Sequence, residues 1–221
     1  MASASPISPH LVRGGLVLMD PDTSAVQHVI ALQYNPDTLT RTLQIQAIQG
    51  GQDGVRVDVL RLRGPAAETI KLEAELDATD QLEFPKQFPT TVQFGLHPQL
   101  AQLEMLVNPT VETLQADDSM ANAGTLEIIP LEQPITLFVW SKSRVVPVRL
   151  TDFSVTEEAF DTNLNPIRAK VSLGMRVLSV NDLNFDEKGN QIYLAYQQNK
   201  ERLAALTGSV SLGVLGSISL P

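Results

Sequence analysis

The sequence predicts a mainly β protein, a barrel or sandwich of antiparallel strands with one short helix and a C-terminal helix. The first sign is residues 167–178, where Ile167, Ala169, Val171, Leu173, Met175 and Val177 fall on one side of a period-two pattern. Arg168, Lys170, Ser172, Gly174 and Arg176 fall on the other. A strand sends alternate side chains to opposite faces, so one face meets a core and the other meets water or a partner. The second sign is residues 69–77, with Ile70, Leu72, Ala74 and Leu76 set against Lys71, Glu73, Glu75 and Asp77. The third is the succession 135–141, 144–158 and 167–178, which forms a three-strand meander. Its last strand has a firmly specified register, because a slip by one residue would bury Arg168, Lys170 and Arg176.

A chain of 221 residues is long enough for one large β domain with a real core, and no linker-like stretch divides it. The formal net charge of −9 makes nucleic acid and anionic membrane surfaces poor default partners, since both reward excess Lys and Arg. With no cysteine, disulfides and thiolate metal sites are excluded, which suits a reducing interior. Residues 1–10 are small and polar, without the cationic start and apolar run of a signal peptide. No apolar run is long enough to span a bilayer, so cytoplasmic synthesis without membrane insertion is expected.

In chain order, residues 1–10 form an expected flexible N-terminal arm. Leu16–Met19 starts a strand that turns at Asp20-Pro21-Asp22, and Val26–Tyr34 resumes it before a second turn at Asn35-Pro36-Asp37. Leu39–Ile48 alternates, with Leu39, Arg41, Leu43, Ile45 and Ala47 in one phase. Gly50, Gly51 and Gly54 supply a loop, and Val55–Leu62 shifts its apolar phase as a bulged or edge strand does. Gln99–Val107 is a short helix with Leu100, Leu103, Leu106 and Val107 on its apolar side. Residues 109–130 are expected to be irregular, a length at which loops are either functional or mobile. Asp186–Asn190 is a turn, and Gln191–Leu206 a helix whose stripe is Ile192, Tyr196, Asn199, Leu203 and Leu206, stopped near Gly208. The tail 209–221 alternates small polar and aliphatic residues and needs a sheet to pair with. The chain thus divides into the arm, a β domain at 11–180, and a C-terminal helix with apolar tail at 181–221.

No pattern points to catalysis, a metal or a cofactor. His10, His28 and His97 share no ligand spacing. Asp182, Asn184 and Asp186 begin like a calcium loop, but Glu187 occupies the position that needs glycine, and no closing Glu follows. There is no Gly-x-Ser-x-Gly elbow and no glycine-rich phosphate loop before a helix. Glu157-Glu158 and the Asp77/Asp80 pair read as solvated charge, because paired carboxylates need a shared pocket to split their pKa values. Trp140, in an apolar strand, reads as core or interface. The chain is not expected to be an enzyme.

One ordered set of residues resembles a known family. It comprises Gln33-Tyr34-Asn35-Pro36 with Leu39 and Arg41, then Leu72 to Asp77 with Thr79-Asp80, and the Leu-rich stretch Leu100 to Val107. It continues through Pro134-Ile135-Thr136-Leu137-Phe138-Val139-Trp140, Glu157 to Phe160, and Pro166-Ile167-Arg168-Ala169-Lys170-Val171. In this order and spacing, over roughly residues 11–180, the chain resembles the tube-adaptor, or tube-initiator, proteins of contractile injection systems, the phage-tail-like machines. Ser141 stands where that family usually has Gly after Trp, and Asn163-Leu164-Asn165 stands in for the usual Gly before Pro. The peptidoglycan-binding LysM module of some relatives has no counterpart in the tail.

The resemblance implies a tube-type β-barrel with a flanking helix, in a homo-hexameric baseplate ring that joins the spike hub protein to the inner tube protein among other baseplate proteins. Trp140, Phe153 and Phe160 are then expected as packing residues, and Arg168, Lys170, Arg176, Glu73, Glu75 and Asp77 as contacts between subunits. Two plain solvated faces are the bland account of those opposite stripes. The alternative function is a monomeric β-sandwich that binds a ligand or glycan, for which the few, scattered aromatics argue poorly. A hydrolase with an unrecognised site stands third.

Overall fold

A computed structural model of the chain describes residues 12–21, 23–46, 62–122, 134–184 and 186–208. The strands are β1 (Gly15–Met19), β2 (Val26–Ala31), β3 (Leu39–Gln44), β4 (Ala67–Asp77), β5 (Ile135–Val139), β6 (Val145–Phe160) and β7 (Pro166–Val177). They make one seven-stranded sheet in the order β2-β1-β5-β6-β7-β4-β3, antiparallel throughout. The helices are α1 (Thr79–Leu82), α2 (Pro89–Phe94), α3 (His97–Glu104), α4 (Val111–Asn122) and α5 (Lys188–Ala205). The protein is mainly β, as its alternation predicts, with more helices than the two expected.

The alternation becomes burial. Ile70, Leu72, Ala74 and Leu76 of β4 are buried, as are Ala169, Val171, Leu173, Met175 and Val177 of β7. β6 changes phase along its length. Val146 and Val148 face the core before a register shift between Leu150 and Asp152, whereas Phe153 and Val155 pack against it afterwards. That bulge explains why residues 144–158 carry no single period-two pattern. One main core joins these residues to Leu16 of β1, Ile30 of β2, Phe138 of β5, Leu100 and Leu103 of α3, and Tyr193 and Tyr196 of α5.

The sheet curls so that the end of β2 meets the end of β4. The Gln33 side chain there receives the Asp77 N–H at 3.0 Å and donates to the Asp77 carbonyl at 2.6 Å, as a neighbouring strand would. Asn35 explains its own turn, accepting from the Gly14 N–H and donating to the Val12 carbonyl, both at 2.9 Å.

Several expectations are corrected. Residues 109–130 are not wholly irregular, because α4 runs from Val111 to Asn122. The α5 stripe is rotated from the expected one. Gly189, Asn190, Tyr193 and Tyr196 are buried, whereas Leu203 and Leu206 are exposed. Aliphatic spacing misleads here because the helix docks through its tyrosines. Phe160 is half exposed at the end of β6, outside the core, whereas Phe153 packs against the core and Trp140 stacks on Phe138 at 5.8 Å between ring centres. The N-terminal arm, the glycine loop, the strand expected from Val55 and the tail 209–221 lie outside the described residues.

Candidate functional site

The outer face of β6, β7 and β4 carries the charges singled out in the sequence. Because β7 lies between the other two, its side chains meet partners on both sides. Across the ladders Arg168 opposes Asp77 and Glu158, Lys170 opposes Glu75 and Thr156, and Ser172 opposes Glu73 and Ser154. Arg168 bonds Asp77 at 2.9 Å, and Lys170 reaches Glu158 at 3.6 Å. Arg176, opposite Thr69, turns instead to Asp182 at 2.5 Å. The two stripes are therefore complementary along adjacent strands of a single chain. Exposed pairs of this kind contribute about 0–1 kcal/mol each, so they bias register more than stability.

Asp77 does more than pair with Arg168. Its carboxylate accepts from the backbone N–H of Thr79 at 2.8 Å and from the Thr79 hydroxyl, starting the turn into α1. Burial disfavours its charge, but the Thr79 hydrogen bonds and Arg168 outweigh that and hold the carboxyl below the usual range.

A second ionic cluster escaped the sequence reading. Glu68 lies in the apolar phase of β4 and is buried, at 3% exposure. It accepts from Arg41 of β3 at 2.7 Å, from Lys200 of α5 at 3.1 Å, and from the Tyr196 hydroxyl of α5 at 3.1 Å. Lys200 also lies 4.0 Å over the Tyr196 ring, within cation–π range. Burial raises the Glu68 pKa, but the bonds from Arg41 and Lys200 overcome this, and the net shift is downward. Burial and the adjacent Glu68 charge push Tyr196 up to about 12. The signal was present in the sequence: Glu68 shares its phase with Ile70, and Arg41 shares its phase with Leu39. Two opposite charges in apolar phases of neighbouring strands predict a buried pair. Chemically, the cluster fastens α5 to the sheet.

The remaining candidates are scattered. His28 is exposed on β2, His97 opens α3, and His10 lies outside the described residues. Asp182 accepts from the N–H and hydroxyl of Ser179 and from Arg176, which is turn geometry. Among the described residues no group of three or more His, Cys, Asp or Glu side chains could hold a metal ion. A depression of about 220 Å³ over the charged face is lined by Tyr34, Glu75, Asp77, Arg168 and Lys170. A groove of about 470 Å³ between β1, β5 and the α3–α4 turn is mostly uncharged, with His28 its one titratable lining group. No protein-family model and no curated protein matches the chain.

Proposed function

We propose that the chain is a structural baseplate component of a contractile injection system, a hexameric ring that joins the spike hub to the inner tube and templates tube assembly. The observation that carries this reading is the backbone at the two turns where the family usually has glycine. Ser141, directly after Trp140, has φ 140°, and Leu164, two residues before Pro166, has φ 64°. Glycine adopts such angles without strain, whereas other residues rarely do. The chain thus keeps, with other side chains, backbone shapes that the family's glycines would serve.

The other motifs fall on defined elements or at their ends. Tyr34-Asn35-Pro36 turns after β2, β4 ends at Asp77, α3 is the leucine-rich helix, and β5 leads into Trp140. Rings require heterologous contacts whose rotation closes. The described sheet ends in β2 and β3, which expose Val26, Val29 and Leu43, and edge strands of this kind suit strand addition between subunits. Among the described residues no helix is long and apolar enough to cross a membrane. On this reading the chain's role is assembly into a cytoplasmic particle.

Co-expression with the sheath, tube and hub proteins of a contractile injection system, followed by negative-stain imaging, tests the reading. Six-fold rings at the hub–tube junction are expected. A chain that stays a compact monomer with hub and tube proteins present rules it out.

A further inference from the structure

Four of the seven phenylalanines, Phe84, Phe88, Phe94 and Phe160, are 38–50% exposed. They gather where β4 and β6 end and β7 begins. The segment between α1 and α2 is a turn closed by two backbone hydrogen bonds, Phe88 N–H to the Phe84 carbonyl and Val92 N–H to the Phe88 carbonyl, which keeps these three residues close together. The end of α2 is joined to the β6–β7 turn, because Asn165 donates to the Gln93 carbonyl and Leu96 N–H to the Pro166 carbonyl. Gly95, at φ 56°, permits this approach: a Cβ there would stand 2.5 Å from the Pro166 oxygen. Phe94, Phe160 and the 76% exposed Leu164 therefore belong to the same end. Asp80, Glu83, Glu157 and Asp161 lie close to these residues in the sequence, outnumbering Lys86 and Arg168 at the same end.

The opposite end of β4 and β6 has the converse chemistry. The β5–β6 turn carries Lys142 and Arg144, and its Ser143 carbonyl accepts from Asn199 of α5. Beside Asn199 stand Lys200, which pairs with Glu68, then Glu201 and Arg202, and beyond them the exposed Leu203 and Leu206, so the cations here outnumber the one exposed acid. Leu43, also exposed, opposes Glu68 across β3–β4, which places it next to Lys200. One end is thus aromatic with an acidic rim, the other aliphatic with a basic rim. They are separated by the length of β4, roughly 30 Å at the usual rise per residue.

We infer that the aromatic, acidic end of one copy docks onto the aliphatic, basic end of the next, forming a heterologous contact between copies of this chain distinct from pairing of the β2 and β3 edges. Apolar side chains inside a charged rim are the layout of a protein interface, with the rim setting orientation and the centre holding the affinity. Two different patches on one molecule pair head to tail, which generates a ring when the rotation closes. The inference rests on the ring reading above only for that closure.

Sedimentation velocity on the purified full-length chain tests it, with circular dichroism confirming that each variant folds. Phe88→Ser is expected to weaken self-association about tenfold, as loss of a buried phenyl does. Glu83→Lys and Arg202→Glu are each expected to weaken it about threefold or more, with the effect reduced at high salt. Mixing these two charge variants must restore association, because every head-to-tail contact in an alternating array is then complementary. A wild-type chain that stays monomeric, reversals without effect, or a mixture no stronger than its components overturns the inference. Six-fold rings formed equally well by wild type and variants on hub and tube proteins would overturn this contact while leaving the ring reading intact.

Discussion

Glu68 and Asp77 lie on the same strand, each bonded to an arginine from a neighbouring strand, and the two sites behave differently. Nine residues separate them, an odd number, so alternation sends them to opposite faces. Glu68 turns inward and ties β3, β4 and α5 together through Arg41, Lys200 and Tyr196. Asp77 turns outward, where Arg168 is 53% exposed, and joins two strands already held by their ladder. Water decides the worth of each. Outside, solvent can replace the partner at little cost; inside, no replacement exists for the carboxylate.

The sharpest break of that comparison is Glu68→Ala. It leaves the Tyr196 hydroxyl and two cations without their shared acceptor. Breaking a buried pair costs about 3–5 kcal/mol, but Arg41 and Lys200 keep 27% and 31% exposure and can recover some hydration. A loss of about 2–3 kcal/mol in urea denaturation is expected. Because α5 is the element released, its amides should lose hydrogen-exchange protection before those of β7.

Acid sharpens the same contrast with a smaller effect. The Glu68 carboxyl is held below the usual carboxylate range, so its contribution is fully present above the unfolded pKa and is lost as pH falls through the folded one. Stability should therefore decline as the pH drops below about 4.5, with Glu68 a principal source. In Glu68→Gln, stability starts lower and its decline over the same window is shallower. Asp77 shifts in the same direction, yet its exposed setting leaves it a minor share. An unchanged acid profile in Glu68→Gln would place the loss at other carboxylates.

Much of the sheet was legible because alternation is a one-dimensional signal: β4 and β7 announce their inner faces residue by residue. The pairing of β4 with β7 was not legible, since neither strand records its neighbour. Opposite stripes are equally compatible with one chain and with two until topology is known. The α5 face was misjudged because the stripe was drawn through Leu203 and Leu206, whereas Tyr193 and Tyr196 do the packing. The Glu68 site was missed for a related reason. A charge in an apolar phase looks like an interruption until its diagonal partner on the neighbouring strand, Arg41, is placed beside it.

Arg168→Ala carries the smallest expected effect and is the most direct check on the comparison. It removes the bond to Asp77, but Thr79 continues to donate to that carboxylate from its backbone and its hydroxyl. Asp77 is then neither unpaired nor stranded, and water reaches the vacated side. A loss of about 0–1 kcal/mol is expected, shrinking further at high salt. A cost equal to that of Glu68→Ala would mean that the outer ladder is shielded from solvent in the working state. Since the described residues leave it open, the shield would have to come from outside them, and its appearance only on assembly would identify it as another protein. The same substitution measured on the isolated chain and on assembled particles therefore separates the two cases: equal small losses describe a solvated face, and a large loss only on assembly describes a covered one.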